Sequence, residues 1–563
     1  MKADDTSFRR FEQHLRHFTW KSGGPGPWLL AVVMLVGAAF AGPVRAQGLS
    51  PYVFGINYTQ GGLSAGKTND LKKAGMKIIR LGGNERNHDI KWRNKYDWVN
   101  DIEYVKYTLN AEPIIQLPIG LPTSEVSDWV YFFNVTKGYN IKFWTIGNEP
   151  DPGDNLDALK AWLNGTVFYQ TSNNGLPNDF NYSQWETRFI NLANALKAYD
   201  GTAKIVGPDF RLFYTEAVNL EYARFLTNVG HRACSSNANV PLLDYFGFHF
   251  YPSTTKTESD LEAPFNALQA LLNQANSQRS WADLRMAVTE LNGEKTGSYL
   301  PWWFNTGQFV ATMTKLALAH DAFCITPWSV FEHSGDRTGT DFSFYNPDDS
   351  RRSTMHHFAL LSENRRANYM PSTQANYANQ IVALGMRETG TSNAGYTIML
   401  MNTTSSTRSF NISLNGSYQG SSSSAQVKFS GYANVTNTPL TGSIAPTTTL
   451  LFRCDANGNF ISKQIYSQGE PGPHFRTALA TADAADAIET LRVFPNPAAS
   501  ILTIELGQDA TQATLRDLTG RVCRTQLLTG RAGQLNIEEL PAGVYLLSVR
   551  TAQGEVTQKV VKE

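Results

Sequence analysis

Between residues 53 and 330 the chain alternates eight short apolar runs with stretches of helical periodicity, and this alternation constrains its fold more than any other feature. The runs are 53–58, 77–83, 112–120, 141–150, 204–210, 244–252, 285–293 and 324–330. Between them, Trp98, Ile102, Val105 and Leu109 are spaced 4, 3 and 4 apart, and Trp185, Phe189, Leu192, Leu196 and Tyr199 are spaced 4, 3, 4 and 3. Those intervals put each set on one face of a helix. Regular β–α alternation demands a mostly parallel sheet covered by helices. A doubly wound sheet shares the alternation but has fewer strands. Eight runs and a closing helix near 353–361 predict a (β/α)8 TIM barrel over 50–365.

The pattern then changes. Runs at 380–386, 396–402, 408–414, 425–431 and 447–453, with Ser, Thr, Asn and Gly between them, predict an antiparallel β-sandwich over 376–455. Residues 456–489 are weakly patterned and read as a linker. Seven short runs follow in 490–563, at 491–494, 501–506, 513–518, 521–528, 534–537, 544–549 and 556–561, predicting a small immunoglobulin-like β-sandwich. A long interval at 151–181, rich in Asp, Asn and Gly and holding Trp162, Phe168 and Tyr169, reads as a loop at the barrel's C-terminal face. A neutral surface insertion is the alternative.

Residues 1–46 have the form of a signal peptide: Lys2, Arg9, Arg10, Arg16 and Lys21, then an apolar run from Trp28 to Ala41, then small-residue cleavage sites ending at Ala41 and Ala46. The apolar run is shorter than the ~20 residues of a membrane span. An uncleaved N-terminal anchor is the alternative. No other segment is long and apolar enough to cross a bilayer as a helix, so the expected product is exported, with no stable membrane span. Export permits disulfides, and Cys234, Cys324, Cys454 and Cys523 are dispersed without a C-x-x-C pair. A Cys234–Cys324 bridge and buried free thiols both stay open. Lys+Arg and Asp+Glu each number 49, so the basic excess of a nucleic-acid binder is missing.

Two of the predicted strands end in a glutamate. The fourth closes with Trp144-Thr145-Ile146-Gly147-Asn148-Glu149-Pro150, and the seventh with Ala287-Val288-Thr289-Glu290-Leu291-Asn292. A barrel assembles its chemistry at these strand ends. Two carboxyl groups facing each other across a cleft are what glycoside hydrolysis needs, one to protonate the leaving oxygen and one to attack or stabilise the anomeric carbon. A lone Glu after a strand is ordinarily a surface or capping residue, and Asn148 before Glu149 argues against that reading here.

Gly147-Asn148-Glu149-Pro150 and Thr289-Glu290 resemble the clan A retaining glycoside hydrolases. Phe248-His249-Phe250-Tyr251-Pro252 on the sixth strand, Arg80 on the second and Trp328 on the eighth fit the same resemblance, which covers roughly 50–455. The resemblance implies Glu149 as general acid and then base, its pKa raised by an anionic Glu290. It implies Glu290 as nucleophile, held ionised by Arg80 and Tyr251, and Asn148 as a ligand of the substrate 2-hydroxyl. His249 and Trp328 would support the substrate, and the Trp328–Ser329 peptide would be cis. A core role for His249 stays open. Glu294 lies past the strand end and ranks behind Glu290. Trp92, Trp302 and Trp303 are further candidate sugar platforms.

Gly61-Gly62-Leu63-Ser64-Ala65-Gly66-Lys67-Thr68 satisfies the phosphate-loop pattern, and Gly62-Leu63-Ser64-Ala65-Gly66 satisfies the nucleophile-elbow pattern. The strand Ile78-Ile79-Arg80-Leu81 ends in no Asp to hold Mg²⁺, the chain carries an export signal, and the serine stands several residues past its strand. Both readings are set aside. There is no H-E-x-x-H motif or EF-hand loop, so the sequence implies no metal or other cofactor.

In the tail, Val493-Phe494-Pro495-Asn496-Pro497, Leu515-Arg516-Asp517-Leu518-Thr519-Gly520-Arg521 and Leu540-Pro541-Ala542-Gly543-Val544-Tyr545 resemble the C-terminal sorting domain of type IX secretion. That implies passage through periplasm and outer membrane and the secretion machinery as partner. The sequence thus predicts a secreted or cell-surface retaining glycosidase acting on a polysaccharide or oligosaccharide. The alternative is a non-catalytic carbohydrate-binding protein on the same scaffold.

Overall fold

The computed structural model describes residues 47–58, 63–83, 86, 94–149, 182–212, 222–293, 304–332, 342–376, 380–390, 394–414, 424–429, 440–476, 491–517, 521–551 and 554–563. The signal segment, the 151–181 loop, Glu294, Trp92, Trp302 and Trp303 lie outside these residues. Among the described residues no helix is long and apolar enough to cross a membrane.

After a two-residue strand β1 (Gln47–Gly48), the barrel strands are β2 (Gly55–Asn57), β3 (Ile78–Leu81), β4 (Glu112–Leu117), β5 (Phe143–Ile146) and β6 (Lys204–Leu212). A small hairpin of β7 (Ala233–Cys234) and β8 (Asn237–Pro241) interrupts before β9 (Tyr245–Phe250) and β10 (Arg285–Leu291). The seven barrel strands pair in parallel in the order β10-β9-β6-β5-β4-β3-β2. The eighth unit closes the circle through Ile325, which bridges Phe54 on one side and Val288 on the other. Ile325 N donates to Val53 O at 2.8 Å, and Thr326 N donates to Val288 O at 2.8 Å. The eight predicted runs therefore form a closed (β/α)8 barrel.

The helices between strands end where their sequences direct. The one at Ala65–Ala74 is capped by Ser64, whose hydroxyl accepts from Lys67 N, and stops at Gly75 with φ 68°. The one at Glu258–Asn276 starts with a reciprocal Thr257–Asp260 capping box. Inside the barrel, Ile78, Ile114, Phe143, Val206, Ala287, Phe323 and Cys324 form an apolar floor, with Tyr245 stacked on Phe323 at 3.7 Å. Side chains alternate along a strand, so the next inward position is two residues on: Arg80 after Ile78, Gln116 after Ile114, Thr145 after Phe143. On β6 and β10 the step is three, from Val206 to Asp209 and from Ala287 to Glu290. Each has a bulge there, with Asp209 and Thr289 as the extra residues. A polar layer thus lies directly above an apolar one.

The sandwich begins at β11 (Asn368–Met370) and β12 (Ser372–Ala375) and continues through β13 (Ile381–Glu388), β14 (Gly395–Asn402), β15 (Arg408–Ser413), β16 (Ala425–Phe429), β17 (Leu440–Ile444) and β18 (Thr448–Asp455), antiparallel as expected except that β15 and β16 pair in parallel. Two further strands, β19 (Phe460–Ser467) and β20 (His474–Arg476), extend the same sheet where the sequence reading has a linker. One sheet runs β1-β11-β13-β14-β18-β19-β20 and the other β12-β16-β15-β17. The larger sheet is fused to the barrel, for Leu384, Met386, Met399, Met401 and Leu451 belong to the barrel's own core. Gln308 donates to Asn402 O at 3.2 Å and Thr448 O at 3.1 Å, and His357 meets Thr449 Oγ1 at 2.8 Å.

The tail has five strands where seven were expected: β21 (Arg492–Phe494), β22 (Ile501–Asp517), β23 (Val522–Asn536), β24 (Gly543–Thr551) and β25 (Gly554–Lys562). Two pairs of predicted runs merge into β22 and β23, whose ladder continues across register shifts at Glu505/Ala510 and Ala510/Gln512. Leu502, Ile504, Leu515, Leu535 and Leu547 form a core of the tail's own. Cys234, Cys324, Cys454 and Cys523 are all free thiols, the first three buried, so the Cys234–Cys324 bridge does not form.

Candidate active site

The polar layer gathers at the C-terminal ends of the strands. Arg80, fully buried, is its hub. Its Nη1 donates to Glu290 Oε1 at 2.8 Å and to Asn57 Oδ1 at 3.0 Å. Its Nη2 donates to Asn148 Oδ1 at 2.6 Å and to Asp209 Oδ2 at 2.9 Å, and its Nε reaches the same Asp209 oxygen at 3.2 Å. Burial opposes the guanidinium charge, but Asp209 and Glu290 more than offset it, and its pKa rises. A buried cation is tolerable only when paired and hydrogen-bonded in this way.

Glu290 takes a second hydrogen bond from Tyr251 OH at 2.7 Å. Burial, then the charge of Glu290, keeps the Tyr251 phenol well above its usual pKa, so it remains a donor. Glu149 sits across the site with φ 45°, its backbone N–H held by Asp209 O at 3.1 Å. Such a left-handed conformation is uncommon for a residue with a side chain, and it persists where surroundings enforce it. His249 Nδ1 lies 2.7 Å from Glu149 Oε1 and 3.4 Å from Glu290 Oε2. One donor atom from each of Glu149, His249 and Glu290 falls within 4.8 Å of the others. That set has the composition of a metal-ligand cluster, but its members are already engaged with one another and with Arg80 and Tyr251 by hydrogen bonds.

The two carboxyl groups titrate as a coupled pair. Burial raises both. At Glu149 the hydrogen bond and charge of His249, with Arg211 and Arg80 behind, outweigh burial and bring its pKa below the usual value. At Glu290 burial, joined by the charge of Glu149, outweighs His249, Arg80 and Tyr251, and its pKa is raised. These directions differ from the sequence expectation, which had Glu290 raising Glu149. The reason is His249, whose ring faces Glu149 rather than lying in the core.

Trp328 ends the eighth unit with its indole half-buried, and the Trp328–Ser329 peptide is cis. Gly83, at φ 111°, leaves room for the ring: a Cβ there would stand 2.8 Å from Trp328 Cη2. The indole N–H donates to Glu332 Oε1 at 2.7 Å, and Glu332 Oε2 accepts from Phe342 N at 2.7 Å. Of the residues that the resemblance singles out, the seven that are described, Arg80, Asn148, Glu149, His249, Tyr251, Glu290 and Trp328, thus stand at the strand ends, and six of them share one hydrogen-bond network. Sequence reasoning missed Asp209, Asn57 and Glu332. Asp209 follows Gly207-Pro208 at a strand end, the same position that drew attention to the two glutamates, but no motif marks it. The phosphate-loop match dissolves in the described part, since Lys67 forms an ion pair with Asp349 and lies over the Phe331 ring.

Residues 492–563 match the family model described as a secretion system C-terminal sorting domain. No curated protein matches the chain. Among solved structures, AbfB, a family 51 α-L-arabinofuranosidase from Bifidobacterium longum, is 13% identical over 67% of this chain and 86% of its own, with a TM-score of 0.49. A Paenibacillus polymyxa xyloglucanase from glycoside hydrolase family 44 is 14% identical over 72% and 96%, with a TM-score of 0.48. A family 30 endoxylanase from Clostridium papyrosolvens is 13% identical over 74% and 97%, with a TM-score of 0.45.

Proposed function

We propose that this chain is a secreted retaining glycoside hydrolase that cleaves O-glycosidic bonds of a polysaccharide or oligosaccharide by double displacement. The observation that carries the reading is the facing pair of Glu149 and Glu290, whose nearest oxygens lie within 4.8 Å. Retaining enzymes hold their carboxyl groups about 5–5.5 Å apart, whereas inverting ones leave ~6.5–9.5 Å for a water.

In the first step a Glu290 oxygen attacks the anomeric carbon while the leaving oxygen takes a proton from Glu149. That proton is held on the Glu149–His249 pair across their 2.7 Å contact. Arg80 holds Oε1 and Tyr251 holds Oε2 of Glu290, which orients the carboxylate for attack, and the hydrogen bond on whichever oxygen becomes the ester weakens. Once Glu290 is glycosylated its charge is gone, and Glu149 then deprotonates the water that releases the sugar. The Arg80 contact to Asn148 Oδ1 fixes that carboxamide for the 2-hydroxyl of the bound sugar. The half-buried Trp328 offers a flat apolar face at the end of the eighth unit. The sorting-domain match supports export by type IX secretion to the cell surface or medium.

The test is a screen of the mature protein on plant, algal and host glycans, with the anomer of the first product followed by NMR. Retention of configuration, lost together with turnover in Glu149→Gln and Glu290→Gln, is expected. Glycan binding without turnover in the wild type would point to the non-catalytic carbohydrate-binding alternative.

A further inference from the structure

Asp209 is fully buried beneath the two glutamates. Its Oδ2 accepts from Arg80 Nε and Nη2 and from Thr145 Oγ1 at 3.0 Å, and its Oδ1 accepts from Thr289 Oγ1 at 2.7 Å. Every one of these partners donates, which is the environment of a carboxylate anion. The position is constructed. Asp209 and Thr289 are the extra residues of two bulges on the strands flanking β9, and they bond to each other across it. Between them β9 carries Gly247, where a Cβ would stand 2.4 Å from Asp209 Oδ1. Asp209 itself takes φ 60°, and its carbonyl holds the Glu149 backbone N–H at 3.1 Å. One residue therefore supports Arg80 with its side chain and Glu149 with its main chain.

We propose that Asp209 is a positioning residue that divides the charge of Arg80 between itself and Glu290, and so sets how basic the nucleophile is. The proposal rests on the glycosidase reading for what that basicity is used for, but not for its electrostatics. Without a counter-charge, a buried Arg80 at 2.8 Å from Glu290 would hold that carboxylate as a weak nucleophile. Asp209 takes two of the guanidinium's three nitrogens and returns part of that basicity. The other groups facing Glu290 are Glu149 just past β5 and His249 and Tyr251 at the end of β9, while Arg211 on β6 bears on Glu149 and Cys324 underlies Asp209 from the eighth unit.

The test is a ¹³C-carboxyl NMR titration of glutamate-labelled mature protein, with the Glu290 signal assigned through Glu290→Gln. It needs no substrate. In Asp209→Asn the Glu290 titration is expected to move down by about one pH unit, the low end of the effect of one neighbouring charge. Should Asp209→Asn not fold, Thr145→Val removes one donor from Asp209 at constant shape. The less shielded anion is then expected to move Glu290 up by a few tenths of a unit. An unmoved Glu290 in folded Asp209→Asn, or an unmoved or lowered one in Thr145→Val, overturns the proposal. If the wild type turns over a glycan, Asp209→Asn should also lose about 10–100-fold in kcat, up to what a small misplacement of a catalytic group costs, with the basic limb of its pH profile shifted down. A loss of rate with both limbs unmoved would mark a purely structural role and also overturn it. If the wild type turns over no glycan, the glycosidase reading fails while the titration still decides the role of Asp209.

Discussion

His249 Nδ1 stands 2.7 Å from Glu149 Oε1, although 100 residues separate the two in the chain. The contact is made because strand parity brings His249 to the inner face of β9 and the left-handed turn at Glu149 bends that side chain toward it. It ties the ionisation of Glu149 to the imidazole that faces it, whose hydrogen bond and charge favour the carboxylate form.

A pH prediction comes from that contact. Activity should be bell-shaped, and because Glu149 lies below and Glu290 above the usual value, the form with Glu290 ionised and Glu149 protonated is the minor one, with the acid limb set by Glu149 and the basic limb by Glu290. In His249→Ala, Glu149 loses its leading stabiliser as an anion and burial is left less opposed, so the acid limb should move to higher pH. Glu290 loses the same positive influence, so the basic limb should move up as well. Asp209→Asn should shift the profile the opposite way. A His249→Ala profile unchanged in position, measured as kcat/KM against pH, would remove His249 from the proton inventory.

Glu332 should matter through Trp328 rather than through chemistry. Its carboxylate joins the indole N–H to the Phe342 backbone N–H. Charge-assisted bonds of this kind are stronger than neutral ones, so Glu332→Ala should loosen the ring against Gly83. The expected result is a KM several-fold higher with kcat within about a factor of three, since a sugar platform contributes mainly binding common to ground and transition states. Glu332→Gln keeps an acceptor for the indole and should recover most of the loss. Steady-state kinetics with tryptophan fluorescence would check both, and a fall in kcat at constant KM would assign Glu332 a different role.

Acid should destabilise the junction of barrel and sandwich. His357 is buried there, donating Nδ1 to Ser353 O and facing Thr449 Oγ1 with Nε2. Burial, partly opposed by the Ser353 carbonyl, brings its pKa down to about 3. The folded value lies below the unfolded one, so the unfolded chain binds more protons at intermediate pH. Stability is then fully present above pH ~6.5 and is lost progressively as pH falls toward ~3, by on the order of a few kcal/mol. Calorimetry between pH 7 and 4 should show one shared transition for barrel and sandwich moving to lower temperature. His357→Gln should start less stable at pH 7 and decline less steeply with acid.

The barrel was legible because every one of its strands is buried, which writes short apolar runs into the sequence. The glutamates were legible because strand ends are where a barrel assembles chemistry. Asp209 was not, because its bulge breaks the two-residue period that would have aimed it inward. Glu332 was not, because nothing local marks a carboxylate that meets an indole four residues back. The strand Phe460–Ser467 was missed for another reason: its buried positions include Ser462, Gln464 and Tyr466, so the alternation is present without being apolar. In the tail, the gap between the runs at 501–506 and 513–518 falls inside β22, whose ladder with β23 continues through shifts of register.

Deleting 477–563 should leave catalysis intact and abolish export past the outer membrane. The cut falls after β20, the last strand of the sandwich sheet, so it keeps the two strands that a boundary at 455 would have removed. Removing β19 would strip seven residue pairs from the ladder of β18, which supplies Leu451 to the barrel core. A cut at 455 should therefore lower stability where a cut at 477 does not. The tail has its own core around Leu502, Leu515 and Leu547, which is what a separately folding unit requires. Its match to a sorting-domain family model gives it a role that adds nothing to a cleft at the barrel mouth. A polysaccharide-binding role for the tail predicts something else, a loss confined to insoluble substrate. The check compares full-length mature protein with the two truncations on a soluble oligosaccharide and an insoluble glycan, and locates each in a type IX-competent host. Equal rates on both substrates for the 477 truncation, with the protein retained inside the outer membrane, are expected. Normal export of that truncation, or a large loss on insoluble glycan alone, would show that the tail is not an address.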